Sequence, residues 1–557
     1  MGSDPFLSEP KKKRKQRKVA EDEEIDSDEF DSDNESNKKR KQVEDDLDLQ
    51  SEDEQNKEES KTEKRRRLAK QYLEDLKQEN MLPSNNRESN YGDEVDTKQL
   101  TDYTFDAKDL DDDIIARRLQ FDVTQQKGNI YKFISKQLQL SKKKIINTVT
   151  DSYLMNPTCL CVNYPFLYVV SKEQKLVKYE ITNLTIAPKK VKYVYMKSKS
   201  DDKNGEPMYH SDEITCVAVS SNGKFVVTGG KDKHILIWDT SNLTLLKKIP
   251  LNHKNAVVNA IAFRKGTNEI YVASNDLKIR IYNVNQFSLI DTLFGHQDSI
   301  VDISALNQER CVTVGLRDRS AMYWKIPEQT RLTFNSSISF DKYYNQFLKE
   351  NKGSVMNNSD TKAAMAKDYI QEGSLECVSM CDNRYFVTGS DNGNISFWTI
   401  QKKKPLYTMF QAHGLVPELT LEQYTGDKEY MEDVAGLNDK RAHVPPRQAY
   451  WITAIHAIPY TDVFITGSWS GELKVWQLDE TLKKFTLLYK LNGVKGVVSS
   501  IAAVEVDKFE NTNTGKVEKV IAIFASVSKE HKTGRWLKKP AGAKNSIYQA
   551  FIKVKSD

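Results

Sequence analysis

The sequence is poor in the patterns that mark a metalloprotein, a nucleotide-dependent enzyme or a membrane protein. Its 557 residues contain six cysteines: Cys159, Cys161, Cys216, Cys311, Cys377 and Cys381. None forms a CxxC pair and no His/Cys cluster has zinc-ligand spacing, so no metal is expected. All six sit in apolar, strand-like runs, the setting of reduced core thiols in an intracellular protein. There is no glycine-rich phosphate loop and no acid–base pair, so neither a cofactor nor an enzymatic activity is expected. No apolar run approaches the roughly 18 residues that span a bilayer, and no membrane contact is expected. The first residues are basic but lead into no apolar stretch, unlike a secretory signal.

Charge, by contrast, is plentiful and uneven. Lys and Arg number 83 against 79 Asp and Glu, a formal net charge of +4 that hides strong local blocks of both signs. Residues 11–18 read KKKRKQRK and residues 38–41 read KKRK, with EDEEIDSDEFDSDNES between them. Such composition buries too little apolar surface to offset the entropy of ordering. Residues 1–62 are therefore expected to be a disordered tail whose basic runs direct the protein to the nucleus. Residues 63–154 read as a helical extension. In EKRRRLAKQYLEDLK (63–77), Leu68, Ala69, Tyr72, Leu73 and Leu76 form one apolar stripe at helical spacing. A second helix is expected over 109–135, opened by acidic residues that suit the helix dipole.

From residue 155 to 557, repeats dominate. The clearest unit is HSDEITCVAVSSNGKFVVTGGKDKHILIWD, from His210 to Asp239. It alternates apolar strands with turns and ends in a tryptophan, the WD-repeat pattern. Anchors at Tyr179, Trp238, Tyr282, Trp324, Trp398, Trp476 and Trp536 give seven units at separations of 59, 44, 42, 74, 78 and 60 residues. The expected fold is all-β, a seven-bladed WD40 propeller whose closure removes exposed sheet edges. Asp232, Asp276 and Asp318 each lie six residues before their anchor, where Asn392, Ser470 and Glu530 stand in the last three units. His210, His253, His296 and His413 fit the repeat's histidine slot. Recurring unit by unit, these His, Asp and Trp residues read as scaffold hydrogen-bond networks and not as a catalytic triad. The strand 545–554 is expected to close the ring. Insertions at 188–209, 327–372 and 405–450 each follow a third strand, so all three should emerge on one face and form a docking surface. The segment 507–516 belongs to the opposite face.

Several stretches together carry a resemblance: EKRRRLAKQYLEDL, DDDIIARRLQFDVTQQKG, ERCVTVGLRDRSAMYWKIPEQTRLTF, TGSDNGNISFW, ITGSWSGELKVW and KEHKTGRW. From about residue 63 onward the chain resembles the fungal WD-repeat proteins specific to the U3 small nucleolar ribonucleoprotein. Leu316 departs from that family's small residue before Arg-Asp-Arg. The resemblance implies a nucleolar, non-catalytic subunit that binds the box B/C region of U3 RNA together with a small kink-turn-binding protein. It further implies contact with the other box C/D core proteins, and a role in early pre-rRNA processing within the small-subunit processome.

RNA contact requires Lys and Arg that face phosphates. The candidates are Arg264 and Lys265, Arg317 and Arg319, Lys402, Lys403 and Lys404, and the cluster His531, Lys532, Arg535, Lys538 and Lys539. Arg535 and His531 are the expected principal contacts, with Trp536 packing on the other side of the same strand. The competing class is a nuclear WD40 adaptor that reads peptides, a ligase substrate receptor or a histone binder. The absence of a docking-box helix and the basic tail favour RNA.

Overall fold

The computed structural model describes residues 131–149, 155–182, 186–196, 208–336, 338–350, 362, 365–366, 369–417, 447–510, 517–534 and 542–555. The basic runs, the helix at 63–77 and most of the second helix lie outside them. Seven four-stranded antiparallel sheets make up the fold. Blade 1 holds Pro157–Asn163, Phe166–Ser171, Lys175–Glu180 and Lys189–Tyr195. Blade 2 holds Ile214–Val219, Phe225–Gly230, His234–Asp239 and Leu245–Pro250. Blade 3 runs from Val258–Phe263 to Ser288–Phe294, and blade 4 from Ile300–Ala305 to Thr330–Asn335. Blade 5 runs from Leu375–Met380 to Tyr407–Met409, and blade 6 from Ala454–Ala457 to Phe485–Asn492. The first strand of each blade touches the first strands of its two neighbours, and those of blades 7 and 1 meet, so the ring is closed.

Blade 7 is assembled differently from the sequence reading. Its strands, from centre to rim, are Val497–Glu510, Val517–Ser528, Ser546–Val554 and Leu138–Val149. The strand at 545–554 is thus its third, and the fourth comes from the other end of the chain, with Leu138 opposite Val554 and Val149 opposite Ser546. A helical extension to residue 154 does not hold for 138–149, nor does the second helix reach through 131–134. Only Ser135–Gln137 is helical there, as one 3-10 turn. The approach is pinned to blade 6, where the Ile134 and Ser135 N–H groups donate to the Asp462 carboxylate at 2.7 and 3.2 Å.

Antiparallel pairing fixes two faces. First-to-second and third-to-fourth turns lie on one, the lower; second-to-third turns and blade-to-blade connections lie on the other, the upper. In blades 1 to 6 the second-to-third turn carries one residue at positive φ: Gln174, Lys233, Leu277, Arg319, Gly393 and Gly471. In blades 2, 4 and 5 the preceding Asp or Asn accepts the N–H two residues on, at 3.3 Å for Asp232, 3.0 Å for Asp318 and 3.2 Å for Asn392. That local turn makes the left-handed conformation tolerable, and glycine takes the slot at Gly393 and Gly471. The core lies between blades. Trp238, fully buried, packs with Tyr168, Val170 and Leu176 of blade 1. The fourth strands of blades 1, 4 and 5 end on the upper face, so the chain that follows each leaves there, as expected, and the first strand of blade 7 ends at Glu510 on the lower. Helix α1 (Phe340–Glu350) sits in the second of the upper connections.

Candidate RNA and partner interface

The histidines of blades 2 and 4 are committed to the scaffold. His210 Nδ1 meets Asp232 at 2.9 Å and its Nε2 meets the Thr228 hydroxyl at 2.9 Å, while Trp238 Nε1–H donates to the same hydroxyl at 3.0 Å. His296, Asp318, Thr313 and Trp324 repeat this at 2.9, 2.7 and 2.8 Å. Burial alone would raise Asp232, but His210 and His234 hold its carboxyl well below the usual range. Blade 6 keeps the His413–Thr466–Trp476 part, with Ser468 and Ser470 replacing the acid. Blade 5 keeps only Trp398 on Thr388, at 2.9 Å. Blade 3 is rebuilt: the exposed His253 stands 3.7 Å from Asp276, whose close partner is Arg280 at 2.5 Å. His253 therefore does not fill the slot assigned to it; Val272, not a threonine, faces Arg280 on the neighbouring strand.

Trp536 is not the anchor of blade 7. The third strand begins only at Ser546, and Trp536 itself falls outside the described residues. In blade 2 a bulge separates the pairs Ile214–Gly230 and Cys216–Gly229; in blade 7 it separates Val498–Val527 and Ser500–Ser526. Counting from that bulge, Ala525 and Ala550 stand where Thr228 and Trp238 stand. Among the described residues the seventh blade has no counterpart of the His–Thr–Trp network. All six cysteines are unpaired, and burial pushes the thiols up.

The nine basic and histidine candidates among the described residues divide between the faces. Arg264 and Lys265 sit in the first-to-second turn of blade 3, and Lys402, Lys403 and Lys404 in the third-to-fourth turn of blade 5, all on the lower face. Arg264 is already paired, with Glu269 at 2.9 Å and Glu309 at 3.0 Å. Lys265 is exposed as a residue, while desolvation of its ammonium end pushes it down to about 8. The lower-face set is therefore not one site with the rest.

Arg317, Arg319 and Lys532 do converge. They line one upper cavity of about 680 Å³ at the mouth of the central channel, with Lys231, Glu376 and Asp391. Lys231 is paired with Glu213 at 2.6 Å, and Arg319 donates to the Glu372 carbonyl at 3.4 Å. The Arg317 guanidinium makes no ion pair among the described residues. Lys532 reaches inward, where its charge opposes the burial that raises Asp302 and Glu376. Lys231 was missed from sequence, although its place beside Asp232 in the upper turn marked it.

His531 is a correction. It is 2% exposed, its ring contacts the Thr533 hydroxyl at 2.7 Å, and its carbonyl accepts Lys172 Nζ at 2.7 Å. Burial, with Lys532 and Lys172 nearby, pushes it down to about 3. A neutral, enclosed imidazole cannot be a principal phosphate contact. Arg535, Lys538 and Lys539 lie outside the described residues, and the alternation argument for Arg535 falls with the misplaced strand.

Ring, turns and networks together define a WD-repeat β-propeller built as a binding scaffold. A family model described as "WD domain, G-beta repeat" matches residues 208–239. The chain is 41% identical over 524 residues to ribosomal RNA-processing protein 9 of Saccharomyces cerevisiae, covering 88% of this chain and 89% of that one. It therefore belongs to the family of ribosomal RNA-processing protein 9. It is also 29% identical to the human U3 small nucleolar RNA-interacting protein 2, over 85% of this chain and 78% of that one. A solved structure of U3-55K superposes with a TM-score of 0.54 at 26% identity, covering 74% of this chain and 98% of that one. The RRP9 WD40 repeats give 0.53 at 27%, covering 74% and 97%.

Proposed function

We propose that the protein is a non-catalytic subunit of the U3 small nucleolar ribonucleoprotein, acting in the nucleolus in early pre-rRNA processing. It binds the box B/C region of U3 RNA together with a kink-turn-binding protein, alongside the other box C/D core proteins and within the small-subunit processome. Basic runs at 11–18 and 38–41 supply nuclear import.

One observation carries this reading. In a chain closely related to ribosomal RNA-processing protein 9, Arg317, Arg319, Lys231 and Lys532 gather at one mouth, on the face that bears the three long connections. Cations in that arrangement suit a phosphate backbone. The histidines of blades 2, 4 and 6 are held in scaffold hydrogen bonds, which argues for binding and against acid–base chemistry.

The test is co-precipitation of U3 RNA by the variant Arg317→Ala with Arg319→Ala across a salt series. RNA recovery is expected to fall about ten-fold, with a shallower salt dependence and an unchanged melting temperature. Recovery equal to wild type at every salt concentration removes the upper mouth from the RNA site.

A further inference from the structure

The outer strand of blade 1, Lys189–Tyr195, reads KKVKYVY. Lys189, Val191, Lys192, Tyr193 and Tyr195 are exposed, the two tyrosines by 49% and 39%. Register decides which side chains share a side. Tyr193 opposes Val177 and Tyr195 opposes Lys175, so both rings rise on the side where Val177 packs toward blade 7. An ammonium stands over each ring: Lys190 Nζ is 4.9 Å from the Tyr193 centroid, and Lys175 Nζ is 5.1 Å from that of Tyr195. Lys192 opposes Lys178, on the side where Lys178 donates to the Thr240 carbonyl of blade 2. The strand is thus a ridge with alternating ammonium and aromatic groups along one flank and a further ammonium on the other.

Lysines on an outer strand often only guard against edge-to-edge pairing. Every outer strand needs that guard, yet Ser288–Phe294 and Thr330–Asn335 hold no lysine and Phe485–Asn492 holds one. The lysines are concentrated on three adjoining blades: three on the outer strand of blade 7, three on that of blade 1, and Lys247 and Lys248 on that of blade 2, but only the blade 1 strand interleaves them with exposed tyrosines. Nor does a guard need exposed tyrosine rings. Ammonium groups recognise phosphates, and aromatic faces accept unpaired bases; a duplex would keep its bases hidden. We propose that the outer strand of blade 1 binds single-stranded RNA, with Lys189, Lys190 and Lys192 on the phosphates and Tyr193 and Tyr195 against the bases. This surface lies on the rim, apart from the upper mouth, and does not depend on the reading of that mouth.

The test uses the full chain and a short, unstructured RNA carrying 4-thiouridine, photo-crosslinked and mapped by mass spectrometry so that contacts of the tail are scored separately. Adducts are expected on the peptide containing 189–195. Lys189→Glu with Lys192→Glu, and separately Tyr193→Leu with Tyr195→Leu, should each lower that adduct roughly five-fold. Recovery of U3 RNA should stay at the wild-type level in both. If the charge reversal lowers the melting temperature, Lys189→Gln with Lys192→Gln takes its place. No adduct in 189–195, or a yield unchanged in both variants, overturns the proposal. So does displacement by duplex RNA or polyglutamate as effective as that by unlabelled single strand, which would mark a surface for polyanions or acidic protein.

Discussion

Blades 2 and 7 solve the same problem by different means. Blade 2 is stapled from within: one threonine hydroxyl serves both His210 and Trp238, and Asp232 fixes the histidine and the turn together. Blade 7 has alanines in the two central slots and, among the described residues, no such staple. What it has is a partner strand contributed from before the first repeat, and neighbours on both sides, since Tyr548 packs toward blade 6 and Ile547 and Phe551 toward blade 1. A local network and a long-range strand are therefore alternatives, and the blade that closes the ring uses the second.

The largest expected effect breaks that alternative directly. Removing residues 131–149 strips the outer strand from blade 7 and leaves the Asp462 carboxylate without its two N–H donors. The loss should be comparable to a typical domain's whole net stability, about 5–15 kcal/mol, and thermal denaturation should show no cooperative transition. A normal melt would mean that three strands suffice. Next is Trp238→Ala, a cavity in a fully buried site, at a cost of about 3–5 kcal/mol, measured by denaturant unfolding. Asp232→Ala should cost on the order of 1–3 kcal/mol, with RNA association reduced only in proportion. Glu530→Ala, at the position the sequence spacing alone matched to Asp232, should cost less than about 0.5 kcal/mol; equal losses would mean that blade 7 has a staple after all.

The fourth effect is smaller and depends on pH. Burial, with Lys474 and Lys490 nearby, pushes His413 down to about 3 from its ordinary 6.5. The unfolded chain binds the proton more readily than the folded one between those values. The stability His413 contributes is therefore complete above about 6.5 and is lost as pH falls toward 3. Between pH 6.5 and 5.5, wild type should lose about 1 kcal/mol more than His413→Asn, and parallel stability curves would contradict the assignment. The smallest effect is none: Arg264→Ala, or alanine at Lys402, Lys403 and Lys404 together, should leave U3 RNA recovery unchanged, because these residues lie on the lower face. A clear loss would erase the distinction between the faces.

Six blades were legible because their signal is local. A residue that fixes the turn, six positions before an aromatic anchor, reports on one blade without reference to any other. The common face of the three long insertions was legible for a similar reason, since each follows a third strand and parity does the rest. The seventh blade was not. Ala525 and Ala550 carry no pattern, while Trp536 lies 60 residues after Trp476 and so completed the count by spacing alone. The outer strand was hidden in LQLSKKKIINTV, ahead of the repeats, where nothing within the segment names a partner roughly 400 residues away. His531 was misjudged from its company: Lys529, Lys532 and the basic residues after it suggested a solvent-facing turn, but the backbone folds the ring inward. The candidate site was legible as residue types and only partly as a place. Face was decided by turn parity, which separates Arg317 and Arg319 from Arg264 and Lys265 although all four are arginines and lysines in turns.

The outer strand of blade 7 also sets an order in time. Leu138–Val149 leaves the ribosome roughly 400 residues ahead of its partner Ser546–Val554. At about 5–20 residues per second the interval is roughly 20–80 s. Through that interval the nascent chain carries an unpaired strand, and none of the blades already formed offers it the edge it needs. Release of Ser546–Val554 from the exit tunnel is thus the event that lets the ring close. A chain interrupted anywhere before Ser546 leaves Leu138–Val149 without its partner strand and the ring unclosed.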